Sequence, residues 1–279
     1  MSVEIERLSA QEFLPPDRDT GYVDVHELHA LYDKMAFRAN LLLWGPKGSG
    51  KSFSFYSYAA KNQIPIVTFD CSEDVRRSHL IGHNVLRGDH TPFILGPIPT
   101  AFEIANEVGQ CILNFEECNA LTPQMQKVLN SVTDFRVKIE VPEAKRVFRL
   151  REGAKLWVTG SMNTTVYAGV YALNEDLKSR FRMLALDYPE AKVEFAILKA
   201  QNIDGANDAL LKNLCKLAHE TRQKALEYPL STRDLIQIAE DVPILGTGQA
   251  LTIALGKFEG DDRGTMKKRI QSVFGNVGV

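Results

Sequence analysis

Leu41-Leu42-Leu43-Trp44-Gly45-Pro46-Lys47-Gly48-Ser49-Gly50-Lys51-Ser52-Phe53 reads as a short apolar strand, a glycine-rich turn of pattern G-x4-G-K-S and the opening of a helix. Glycine at 45, 48 and 50 lets backbone N–H groups curl round phosphate oxygens. The helix N-terminus adds the positive end of its dipole. Lys51 is then placed to reach the β- and γ-phosphates of a nucleotide, and the Ser52 hydroxyl to ligate magnesium. A glycine-rich turn holding a chance Gly-Lys-Ser is the plainer alternative, and the flanking strand and helix disfavour it. Gly45, Pro46, Lys47, Gly48, Ser49, Gly50, Lys51 and Ser52 are therefore assigned together to phosphate binding.

Outward from this loop, apolar runs alternate with helical patterns between Asn40 and about Asp187. The runs are Leu41–Trp44, Ile64–Phe69, Gln110–Phe115, Lys155–Thr159 and Arg182–Leu186. Continuous apolar runs fit strands buried on both faces, and intervening helices imply a parallel sheet covered on two sides. A helix is expected over 24–37 with Asp24 as its N-cap. Residues 13–21, with two prolines and a glycine, form an irregular lead-in. Residues 83–99 suggest a looped hairpin followed by a helix. Residues 135–150 alternate with period two about a turn, as an antiparallel hairpin does. After Pro189 only helices are expected, at about 190–202, 206–226, 231–240 and 262–274. The boundaries read as 1–23 lead-in, 24–188 αβα domain and 189–279 helical lid.

The third run ends in Asn114-Phe115-Glu116-Glu117. A phosphate loop needs such an acidic element: Glu116 sits where magnesium's outer shell is held, and Glu117 where a general base polarises the attacking water. A surface acidic pair that merely ends a strand is the competing reading.

The composition narrows the function classes. With 33 basic and 35 acidic residues the formal net charge is -2, which gives no bulk attraction to nucleic acid or anionic membrane. The start, Met1-Ser2-Val3-Glu4-Ile5-Glu6-Arg7, does not read as a signal peptide, and no apolar run spans a bilayer. A soluble cytoplasmic protein is expected. The four cysteines, Cys71, Cys111, Cys118 and Cys215, form no CxxC pair and read as buried, reduced, small hydrophobes. His26 with His29, and His79 with His83, each share a helical spacing without an acidic or cysteine partner, so they read as structural or solvated. Phe53, Phe55, Tyr56 and Tyr58 after the loop read as core and interface packing.

Taken in order, the phosphate loop, the Ile112–Glu117 acidic strand, Thr159-Gly160-Ser161-Met162-Asn163, Leu177-Lys178-Ser179-Arg180-Phe181 and Ser231-Thr232-Arg233 resemble an AAA+ ATPase. More narrowly they resemble the MoxR group and its branch with CbbQ, NorQ and GvpN proteins, over about residues 20–275. The resemblance implies a three-layer αβα P-loop domain with a parallel sheet and a small C-terminal all-α lid. It implies hydrolysis of ATP with Mg2+ in a homo-oligomeric, hexameric ring, with ATP held between the domains and at the junction of two protomers. It casts Asn163 as the sensor 1 amide and Arg180 as the arginine finger, with Arg182 a nearby rival. Arg233 becomes sensor 2 at the start of a lid helix capped by Ser231 or Thr232. Segments 80–98 and 135–150 become hairpins that face the ring pore or a client. The client is a protein to be remodelled or activated, and any von Willebrand factor A domain partner is a separate chain. A nucleic-acid-directed AAA+ motor and a non-hydrolysing, ATP-switched scaffold are the rival readings. Two departures stand out. Glu116-Glu117 replaces the usual Asp-Glu, moving the first carboxylate by about 1.5 Å. Asn119 is followed by Ala120 and Leu121, where the family often has an arginine.

Overall fold

The computed structural model describes residues 5–6, 8–88, 90–134, 136–164, 170–223, 226 and 228–278. They fall into two compact units. The first comprises Met1–Thr20, His26–Gly45 and Gly50–Leu186; the second comprises Gly21–Val25, Pro46–Ser49 and Asp187–Val279. In chain order the first unit holds β1 (Ile5–Glu6), α1 (Leu28–Met35), β2 (Leu41–Gly45), α2 (Lys51–Asn62), β3 (Ile66–Asp70), α3 (Arg77–Ile81), β4 (Gly82–Asn84), β5 (Phe93–Leu95), α4 (Pro97–Val108) and β6 (Gln110–Glu116). It continues with α5 (Pro123–Thr133), β7 (Lys138–Val141), β8 (Arg146–Arg149), β9 (Lys155–Asn163), α6 (Glu175–Arg180) and β10 (Arg182–Ala185).

Five of these strands form one parallel sheet in the order β10-β2-β9-β6-β3. The chain starts at β2, moves outward to β3, returns through β6 and β9, and ends on the far side of β2 at β10. β2 thus sits where the winding reverses, and such a switch point opens a crevice at the carboxyl ends of the strands. The glycine-rich loop leaves β2 at that end. Gly45 is required there: the Leu186 N–H donates to the Trp44 carbonyl at 2.8 Å, and a Cβ on Gly45 would lie 1.9 Å from the Leu186 carbonyl oxygen.

The two faces of the sheet carry different cores. Leu42, Leu113, Phe115 and Val158 pack with Ala101, Phe102, Ala105 and Leu129 of α4 and α5. Leu41, Leu43, Ile112 and Trp157 pack with Leu28, Tyr32, Phe55 and Tyr58 of α1 and α2. The result is three layers. Trp157 is 1% exposed, donates its ring N–H to the Ala39 carbonyl and meets the rings of Tyr32, Phe55 and Tyr58 edge-on. Removing an aromatic packed in this way typically costs about 3–5 kcal/mol. Of the aromatics after the loop, Phe55 and Tyr58 are buried core, whereas Phe53 and Tyr56 stack on one another at the surface.

Both expected hairpins are antiparallel pairs. β4 pairs with β5, to which β1 adds in parallel, and β7 pairs with β8 from Lys138↔Arg149 to Val141↔Arg146. Their alternation is real: Ile139, Val141 and Phe148 enter the core beneath α4, while Lys138 and Glu140 face out. Phe135, the expected start of the second hairpin, lies outside the described residues.

The second unit is all-helical apart from its short inserted segments: α7 (Ala191–Ala200), α8 (Asp208–Gln223), α9 (Thr232–Leu245), α10 (Thr247–Leu255) and α11 (Gly260–Phe274). Leucines at 198, 210, 211, 214, 217, 230, 235, 251 and 255 close its core with Phe258 and Ile270. Lys224 and Ala225, in the expected end of the second helix here, lie outside the described residues.

Two local readings are corrected. The first helix begins at Leu28 rather than 24, with Glu27 at its N-terminal boundary in left-handed backbone and no side-chain cap. The Val25 N–H turns back to the Val23 carbonyl at 3.0 Å, and this tight turn takes Asp24 out of helical register. The helix expected to stop at 240 runs on to Leu245 with Pro243 inside it, and α10 follows directly, sharing Gly246 at the junction. At φ 80° Gly246 makes the turn between them.

Candidate active site

On the α2 face of the sheet the amino-terminal half of each central strand is apolar, and the carboxyl-terminal half is not. Thr159, Ser161 and Asn163 follow Trp157 at every second position of β9, and Asn114 and Glu116 follow Ile112 in the same way on β6. Asn114, Thr159, Ser161 and Asn163 are all at most 3% exposed. Polar groups buried so deeply need partners, and they supply them to one another. Thr159 Oγ1 donates to Asn114 Oδ1 at 3.0 Å, and Asn114 Nδ2 donates to Glu116 Oε1 at 3.4 Å. Ser161 Oγ meets Ser52 Oγ at 3.2 Å and accepts the Glu117 N–H at 3.4 Å.

This polar column ends at Lys51. Register pairs Gly45 with Asn163. The Lys51 ammonium donates to the Gly45 carbonyl at 3.0 Å and to Asn163 Oδ1 at 3.3 Å. The structure therefore brings Lys51, Ser52, Glu116, Glu117 and Asn163 to the carboxyl ends of β2, β6 and β9. Lys51 is 7% exposed, so its charge is held by protein groups rather than by bulk water. Asn163 Nδ2 is buried without a hydrogen-bond partner among the described residues, and so is Oδ1 of Asn119 close by. A buried orphan donor is costly unless something else uses it.

Glu117 follows β6 with φ 50°, left-handed for a residue that has a side chain, and its carboxylate is exposed. Such backbone costs of order 1–3 kcal/mol and persists only where its surroundings dictate it. Asn119, in the single turn of 3-10 helix that follows, is 1% exposed and donates from Nδ2 to the Asn163 carbonyl at 3.0 Å. It ties the end of β6 to the end of β9, and the sequence reading gave it no role.

Arg180 lies elsewhere. It closes α6 just before β10, whose Arg182 pairs with Leu41, the first residue of β2. The loop leaves β2 at its other end, so Arg180 is about 15 Å from its own phosphate loop at roughly 3.3 Å per residue. Its guanidinium pairs with Asp134 at 2.7 Å, and Arg136 takes the other carboxylate oxygen at 2.7 Å. Arg136 and Arg180 together hold the Asp134 carboxyl well below the usual carboxylate range. Arg182 is exposed on the edge strand.

Within the second unit, Pro46–Ser49 group with the carboxyl-terminal helices. Ser49 Oγ closes the loop onto the Pro46 carbonyl at 3.0 Å, and Tyr188 donates its hydroxyl to the Lys47 carbonyl at 3.0 Å. Gly48, at φ 74°, has no room for a Cβ, which would fall 2.4 Å from Ser231 Cβ. Ser231 caps α9 in a reciprocal box with Asp234. Arg233 is exposed on the first turn of α9 and makes no hydrogen bond or ion pair with any described residue. Beneath it Glu194, fully buried, accepts Thr232 Oγ1 at 2.6 Å and both terminal nitrogens of Arg222 at 2.7 and 3.0 Å; Arg222 in turn stacks on Tyr188. All four cysteines are buried, and burial pushes the Cys111, Cys118 and Cys215 thiols up to about 12, which keeps them inert near neutral pH.

The fold and this loop define a P-loop nucleotide-binding protein. Residues 40–181 match the AAA domain (dynein-related subfamily), and the chain belongs to that family of AAA+ ATPases. It is 26% identical over 222 residues to an uncharacterized protein of Staphylococcus haemolyticus, covering 76% of this chain and 81% of that one. It is also 26% identical over 245 residues to one of Staphylococcus saprophyticus, covering 84% of this chain and 90% of the relative. Among solved structures the Thermotoga maritima RuvB Holliday junction branch migration motor shares the fold, with TM-score 0.50 and 17% identity over 95% of this chain and 71% of that one. Among the described residues no helix is long and apolar enough to cross a membrane.

Proposed function

We propose that this chain is a MoxR-like AAA+ ATPase, which binds and hydrolyses ATP with magnesium in an oligomeric ring and uses the cycle to remodel or activate a protein client. The observation that carries the ATPase reading is the buried meeting of Lys51 with Asn163, whose Nδ2 is an orphan donor beside the loop. A γ-phosphate or the attacking water answers that donor, and Lys51 exchanges carbonyl oxygens for phosphate oxygens. Ser52 and Glu116 would hold the metal; a hydroxyl and a carboxylate are hard oxygen donors, as magnesium prefers. The ion, when bound, neutralises charge on the β- and γ-phosphates. Glu117 orients and polarises water from its exposed, strained position, and Asn163 fixes that water against the phosphate. Arg233 serves as the lid's contact to the nucleotide. Arg180 serves a neighbouring protomer, a role its distance from its own loop supports.

Lys51→Ala is the first test. It should abolish binding of a fluorescent ATP analogue while the circular dichroism spectrum stays unchanged. A folded variant with normal affinity would remove the central assignment. The likeness in fold to a branch migration motor keeps a nucleic-acid-directed reading open to a direct assay. ATPase activity unaffected by duplex or single-stranded DNA is expected, in keeping with the net charge of -2.

A further inference from the structure

The helix that carries Arg180 is six residues long and is held at both ends by buried polar side chains. At its root Gln126 of α5 is 0% exposed and uses its whole amide. Nε2 donates to the Leu121 carbonyl at 3.1 Å and the Ala172 carbonyl at 3.3 Å, while Oε1 accepts the Asn174 N–H at 2.8 Å. At its tip Asn40 Nδ2 donates to the Arg180 carbonyl at 3.1 Å, and Asp134 takes the guanidinium. The same root is tied to the phosphate-loop end of the sheet. The Tyr171 N–H donates to the Asn119 carbonyl at 2.7 Å, Asn119 Nδ2 donates to the Asn163 carbonyl at 3.0 Å, and Asn163 Oδ1 accepts Lys51 at 3.3 Å. Polar contacts therefore lead from Lys51 through Asn163 and Asn119 to the backbone of Tyr171, and Gln126 holds the next stretch of backbone, at Ala172 and Asn174, the N-cap of the arginine's mount. Dropping the bonds to backbone groups would leave those groups short of a partner, so the contacts are placed to pass a displacement on.

We propose that Asn119 and Gln126 are positioning residues that strap the strand end bearing Asn163 to the helix bearing Arg180. Filling one protomer's phosphate loop thereby sets the placement of the arginine it offers to a second copy of the chain. The inference rests on the shared-site ATPase reading above. The two-state element is Lys51, which bonds either to Asn163 Oδ1 and the Gly45 carbonyl or to phosphate oxygens. Asn163 is left differently held in the two cases, and the strap carries that difference to α6.

Gln126→Met keeps the side-chain volume and removes all three bonds; Asn119→Ala cuts the strap at its other end. Each variant, checked for fold by circular dichroism, should lose at least about tenfold in kcat with the KM for ATP within about twofold. Mixing either with Lys51→Ala should restore turnover, because an intact loop then meets an intact arginine from the other protomer. Arg180→Ala, alone and mixed with Lys51→Ala, is run beside them. Full activity of Arg180→Ala alone sinks the shared site and the strap together. If Arg180→Ala is inactive and rescued by mixing, but the strap variants are fully active or not rescued, the shared site stands and the strap is overturned. The unmutated protein supplies a readout independent of folding variants: a non-hydrolysable ATP analogue should change exchange of the Tyr171 and Asn174 amide hydrogens by at least about fivefold, the lower end of ordinary coupling between sites. Unchanged exchange with saturated loops overturns the strap.

Discussion

Glu116 and Glu117 are adjacent in sequence, yet their surroundings differ. Glu116 ends a buried strand, in register with Asp70 and within reach of the Asn114 amide, so its carboxylate is held in place. Glu117 is turned outward by left-handed backbone, and its N–H is fixed by Ser161. A fixed carboxylate suits a metal's coordination sphere, and an exposed one can meet water. Glu117→Gln should therefore bind ATP and lose about 10²–10⁴ in steady-state phosphate release, the usual worth of a general base. Glu116→Asp should keep or raise turnover. Full activity in Glu117→Gln together with an undisturbed Glu116→Ala would move the acidic element elsewhere. At this scale the sequence was legible wherever chemistry demands a local pattern. Lys51 and Ser52 come with their glycines, and the polar residues at 159, 161 and 163 sit at strand spacing in an otherwise apolar run. The polar contacts of Asn119, Gln126 and Asp134 were not legible. Each residue bonds backbone or side chains tens of residues away, and such a bond leaves no periodicity around the residue that makes it.

Among elements, the five sheet strands could be read because burial on both faces forces continuous apolar runs, and each run found its strand within a few residues. The two hairpins could be read from turn residues and alternation. The errors fall where a local rule meets a tertiary contact. The helix expected over 231–240 continues through Pro243 to Leu245, and Gly205, where a Cβ would lie 3.0 Å from the proline ring, packs directly against that proline. α10, which was not expected, begins just after Gly246 and carries Gly248 in its first turn. The second unit also contains an interaction that periodicity cannot reveal, the buried pair of Glu194 on α7 with Arg222 on α8. Breaking such a pair strands one charge, whereas replacing both partners with apolar residues removes the problem. Arg222→Ala should lower stability by about 3–5 kcal/mol in urea unfolding, and Glu194→Leu combined with Arg222→Met should lie closer to the native value. A loss below about 1 kcal/mol in Arg222→Ala would show that Glu194 finds other partners.

At the scale of the molecule, the first unit holds Gly45, Lys51 and Ser52 at one end of its sheet and Arg180 at the other. The parallel topology fixes this separation: β2 and β10 run the same way, the loop follows β2, and Arg180 precedes β10. No side-chain rotation spans about 15 Å, so Arg180 does not reach its own loop, as the shared-site proposal requires. Activity should then depend on assembly. ATPase turnover per protomer should rise with protein concentration and level off as the oligomer forms, whereas a self-sufficient site gives constant turnover. Light scattering of Glu117→Gln should show a larger particle in ATP than without it, because that variant keeps the nucleotide it cannot cleave. On the shared-site proposal, Arg180→Ala should assemble in ATP as the parent does yet stay inactive at every concentration, since it keeps its own loop and loses the arginine offered to its neighbour. Constant turnover down to concentrations where scattering reports only monomer would show that each chain completes its own site, and Arg180 would then be no more than the partner of Asp134.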